Sequence, residues 1–95
     1  MSLENEFRSR GVMRNGELFL RPADAIAMVS RARELGVEIL GVDAFHLTDT
    51  TIQPDLSRSV TFSGVTTVPA KLRWDRAEVF LSQQLQSDLY FQVCT

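Results

Sequence analysis

The chain has one cysteine, Cys94, in 95 residues. That excludes an intrachain disulfide and a cysteine-based metal site, and leaves Cys94 to be read as a small hydrophobe near the end of the chain. Lysine is nearly missing as well: Lys71 stands beside nine arginines, against six aspartates and six glutamates. With a net charge of −2, no general attraction to phosphate backbones is expected. Arg8, Arg10, Arg14 and Arg21 make the N-terminal part locally basic, but Glu4, Glu6 and Glu17 interleave with them, so nucleic acid is not the expected partner. Long apolar runs are missing: the stretch around Ala25–Val29 falls far short of the ~20 residues a membrane span needs. No basic-then-apolar leader opens the chain, and the expected compartment is therefore the cytosol. Gly11, Gly16, Gly36, Gly41 and Gly64 are scattered singly and form no phosphate-cradling loop.

The composition that remains, 44% hydrophobic and 23% charged, is that of an ordinary globular domain. A domain this short buries only roughly 60–65% of its unfolded surface, so a partner or a second copy would add useful burial. Residues 1–10 are polar and aperiodic and read as a flexible leader. Residues 11–95 read as a single α+β domain.

Asn15-Gly16 is a strong hairpin signal between Val12–Arg14 and Glu17–Leu20. A helix is predicted over 22–35: Pro22 suits the first turn, Asp24 complements the helix dipole, and Ala25, Ile26, Val29 and Ala32 repeat at helical spacing. Gly36 is placed to end it in a left-handed conformation. Val37–Leu47 follows with apolar residues on both faces, the mark of a central strand. Ile52 begins a further strand that Pro54 interrupts, and Ser63-Gly64 is a two-residue turn between Val60–Phe62 and Val65–Val68. A second helix is expected to start at Asp75, with Glu78 completing a capping box, Trp74 stapled on Val79, and Ala77, Phe80, Leu81 and Leu85 facing inward. Ser87-Asp88 ends it, and "LYFQVCT" is a closing strand. The order implies two helices on one face of a mixed or antiparallel sheet, in a split βαβ, ferredoxin-like arrangement.

The polar residues that stand out are Asp43, His46, Asp49 and Asp55. His46 is the only histidine, and Asp49 could orient it as a base. A nucleophile is harder to supply: Ser57, Ser59 and Ser63 stand in no nucleophile elbow. Asp43, Asp49 and Asp55 are six apart, wider than the alternating oxygen ligands of a calcium loop. No metal or cofactor is expected. Asp49 and Asp55 read as turn aspartates. Asp43 lies inside the strand and needs a partner, for which Arg58 and Arg73 are candidates, unless a bulge beside Gly41 aims it outward.

The segment "ADAIAMVSRARELGVEILGVDAFHLTDTTIQPDL" resembles the small immunity proteins of bacterial polymorphic toxin systems, the family numbered forty. There an Ala-rich amphipathic helix runs through glycine into a "(V/I)LGGDV(Y/F)" strand, and a "YF" strand closes the domain. The matching residues are Arg33–Phe45 and Tyr90-Phe91, over a span of about residues 22–93. Val42 replaces the second glycine of that pattern, and its aromatic-rich segment after the second strand has no counterpart here. The resemblance implies a protein with no catalytic task, one that covers the active site of a cognate toxin in the cytosol of the producing cell. Asp43, His46, Asp49 and Asp55, around the strand end, are the expected contacts. The alternative is a small ligand-binding or regulatory α+β domain acting as a homodimer.

Overall fold

The computed structural model describes residues 3–61 and 69–95. The proposed turn at Ser63-Gly64 and its flanks from Phe62 onward lie outside the described residues. The elements are α1 (Leu3–Phe7), a 3-10 turn (Arg8–Arg10), β1 (Val12–Arg14), β2 (Glu17–Phe19), α2 (Pro22–Leu35), β3 (Gly41–Leu47), β4 (Ile52–Thr61), α3 (Ala70–Ser82) and β5 (Tyr90–Cys94).

Local sequence accounts for several of these. Asn15 and Gly16 both have positive φ, 52° and 78°, the pair of left-handed residues a type I′ hairpin turn requires. They join β1 to β2, with Val12 opposite Phe19. Helix α2 begins with Pro22 in its first turn. It ends at Gly36, φ 70°, with the Val37 N–H donating to the Ala32 carbonyl at 2.8 Å and the Gly36 N–H to the Arg33 carbonyl at 3.2 Å. These are the two closing bonds of a Schellman cap.

Four expectations fail. Residues 3–10 are not a loose leader: Leu3 and Phe7, one helical turn apart, are both buried in the core, and Glu6 pairs with Arg31 on α2 at 3.0 Å. Helix α3 does not start at Asp75 either. It starts at Ala70 behind Pro69, whose carbonyl takes the N–H groups of Leu72 and Arg73. Asp75 is tolerated inside the helix because it forms an ion pair with Arg33 of α2, and Glu78 lies 3.8 Å from the same guanidinium. Trp74, rather than stapling Val79, donates its indole N–H to the Val37 carbonyl at 2.9 Å. The helix ends at Ser82, before a series of turns, so Leu85 is exposed rather than inward-facing.

Three strands form a sheet in the order β4-β3-β5, antiparallel throughout. Leu20, just past β2, exchanges two backbone bonds with Phe91, 2.8 and 2.6 Å long, which sets β2 antiparallel beyond β5. Strands β2 and β3 are therefore parallel with β5 between them, and β4 and β5 are parallel with β3 between them. Each strand–helix–strand unit is split by a strand of the other. The β1–β2 hairpin is a two-stranded sheet of its own, joined to β5 only through the Leu20–Phe91 bridge, so the expected four-stranded ferredoxin-like order is not formed among the described residues and β3 is the centre of the three-stranded sheet.

Helices α2 and α3 share one face of the sheet. Val29 and Ala32, Ala77 and Leu81, and Val42, Ala44 and Phe91 belong to a single buried cluster. Phe80 of α3 meets Phe91 edge-on at 6.0 Å. On the far face Phe19 meets Phe45 edge-on at 5.1 Å, and Arg14 donates to the Thr51 carbonyl at 3.3 Å, so the β1–β2 hairpin leans across that side. No helix among the described residues is long and apolar enough to cross a membrane.

Candidate functional site

The most irregular part of the sheet is the run from β3 into β4. Val42 pairs with Val60 and Ala44 pairs with Asp55, so one residue of β3, Asp43, stands across from four of β4, residues 56–59. The extra residues form a bulge at the sheet edge. Leu56 projects from it with 84% of its surface exposed, the highest value among the exposed large hydrophobic side chains of the described residues.

The bulge is tied down by side chains. The Ser59 hydroxyl donates to the Asp55 carbonyl at 3.1 Å and accepts the Ala44 N–H at 3.2 Å, which returns the bulged chain to β3. One Asp55 oxygen accepts both the Ser57 hydroxyl, at 2.7 Å, and the Ser57 N–H, at 3.2 Å. The other lies 3.1 Å from His46 Nε2. Hydrogen bonding from the Ser57 hydroxyl, then from His46 and the Ser57 N–H, with Arg58 nearby, holds the Asp55 carboxyl below its ordinary value, although partial desolvation opposes the shift. The Ser57 hydroxyl is thus bonded to the carboxylate, not to the imidazole. His46 in this arrangement fastens the loop through Asp55.

Of the four residues singled out in the sequence, the fold joins two. His46 and Asp55 meet because the antiparallel register places His46 opposite Gln53, two residues along β4 from Asp55. Asp49 is exposed in the turn between β3 and β4, where Thr48 Oγ1 accepts the N–H groups of Thr50 and Thr51. Asp43 points to the other face of the sheet, as the two-residue period of a strand requires. Its partner there is neither Arg58 nor Arg73: Arg73 forms an ion pair with Glu38, and Asp43 accepts a weak bond from the Cys94 thiol at 3.6 Å. Burial first, then the charge and hydrogen bond of Asp43 and the charge of Glu17, push that thiol from an ordinary 9.0 to about 11. Near Cys94 a cleft of about 350 Å³ opens, lined by Glu4, Glu17, Leu18, Met28, Val93 and Cys94 among others. Among the described residues no group of three or more His, Cys, Asp or Glu side chains is arranged to hold a metal ion.

Leu56, Ser57 and Ser59 were not singled out as site residues in the sequence. One signal for them was present. Asp-x-Ser is a spacing at which aspartate accepts the N–H two residues on, and it marks Asp55–Ser57 as a local turn inside the strand.

No family model, no curated protein and no solved structure matches the chain.

Proposed function

We propose that this chain is a non-catalytic protein-binding module of the immunity type, which blocks a cognate bacterial toxin in the cytosol by direct contact. The observation that carries the reading is the β4 bulge, an exposed leucine held on a loop fixed by Asp55, Ser57, Ser59 and His46. Apolar anchors surrounded by polar groups dominate the energetics of protein–protein interfaces, and an anchor already held in place loses little entropy on binding. Two contacts support the non-catalytic reading. His46 braces Asp55, and the Cys94 thiol, with its raised pKa, carries little thiolate near neutrality. Arg58, exposed within the bulge, would supply a rim contact that steers association, and Asp49, exposed in the turn that joins β3 to β4, would add charge farther along the same edge.

The test is protection in cells. The genes beside its own are searched for one whose product is toxic when induced, the chain is co-expressed with that gene, and survival is scored; the lack of any such neighbour would count against the reading. Wild type is expected to protect, Leu56→Asp to lose protection while folding normally, and Leu72→Asp, on the outside of α3, to protect like wild type. Undiminished protection by Leu56→Asp would move the contact away from the bulge. Failure of the wild-type chain to bind the purified toxin would remove the immunity reading altogether.

A further inference from the structure

We draw no further inference here: the strongest candidate, the cleft between α1, β2 and β5 rimmed by Glu4 and Glu17, rests on exposed carboxylates and a lone cysteine whose hydrogen-bond partner is already Asp43, and no second observation points to a ligand.

Discussion

Gly41 opens β3 at the point where β4, having bulged away, returns to pair with it. A Cβ built on Gly41 would lie 2.7 Å from the Val60 carbonyl oxygen and 3.2 Å from the Thr61 Cα, both backbone atoms. Carbon–oxygen contacts between strands settle at about 3.3–3.6 Å, so Gly41→Ala forces the strands apart by roughly 0.6 Å or more. No flexible side chain can give way. Gly41 is not among the positive-φ glycines of the described residues, Gly16 and Gly36, so the cost is steric and not conformational. Overpacking of this kind costs about 1–3 kcal/mol, and 2 kcal/mol in a domain of this size lowers the thermal midpoint by roughly 8–16 °C. Gly16→Ala is the matching control. Nothing lies within 4 Å of its Cβ, but its φ of +78° is unfavourable for alanine, at about 1–2 kcal/mol. Urea and thermal unfolding would measure both losses, and amide shifts would separate the two mechanisms. In Gly41→Ala, amide shifts should change around Val60, Ser59 and Leu56, and the bulge should loosen. In Gly16→Ala the changes should stay in the β1–β2 hairpin. A Gly41→Ala protein that melts with wild type, with unmoved β4 amides, would refute the close approach of the strands and with it the account of how the bulge is held.

Three further outcomes are expected. Phe7→Ala should destabilise the protein by about 3 kcal/mol in equilibrium denaturation; a loss below 0.5 kcal/mol, typical of surface positions, would restore the reading of residues 1–10 as a leader. The Cys94 thiol should alkylate slowly at mildly alkaline pH, since its thiolate fraction is roughly 100-fold below that of an ordinary thiol. Asp43→Asn should speed the reaction, whereas a wild-type rate equal to that of the urea-unfolded chain would contradict the Asp43 contact. Because the folded thiol titrates above its unfolded value, its contribution to stability is intact below about 9 and is lost as pH rises towards about 11. Asp55 has the opposite sign. Its lowered carboxyl contributes stability that is present above the unfolded value and lost as pH falls through the folded one, so Asp55→Asn should flatten the acid side of the stability profile and speed exchange of the Ser57 amide.

The elements that sequence predicts well are those whose causes are local. Pro22, the 3.6-residue apolar stripe and Gly36 bracket α2 within its own residues, and Asn15-Gly16 needs only itself to turn. The start of α3 misleads because the partner that lets Asp75 sit inside the helix is remote: Asp75 reads as a cap until Arg33, 42 residues earlier, is seen to neutralise it. Leu3 and Phe7 were legible in principle, four apart in a short polar run, but five residues of helix are stable only by packing on α2. The sheet order depends on Leu20 finding Phe91, a pairing no local pattern announces. The same divide runs through the site. The candidate residues could be named, but which of them meet depends on strand period and register. Period two sends Asp43 and His46 to opposite faces, and the register brings Asp55, nine residues on, to His46. The bulge that makes the site distinctive is a mismatch between two strands, and neither strand carries it alone.

The form of the β4 edge bears on how a partner would use it. A strand flanked on one side is a template for strand addition, in which backbone groups supply the affinity. Here Pro54 removes one donor from the strand, and residues 56–59 break the regular spacing of the rest. Both are features that blunt sheet edges against pairing with another chain. The same bulge that spoils the backbone template lifts Leu56 clear of the surface. On the proposed reading, recognition at this edge would fall to side chains, and backbone amides along β4 should keep their solvent exchange when a partner binds, with protection confined to contacts around Leu56. A complex in which amides from Ile52 to Thr61 became protected in alternation would show strand addition instead, and would replace the anchor mechanism with a backbone one.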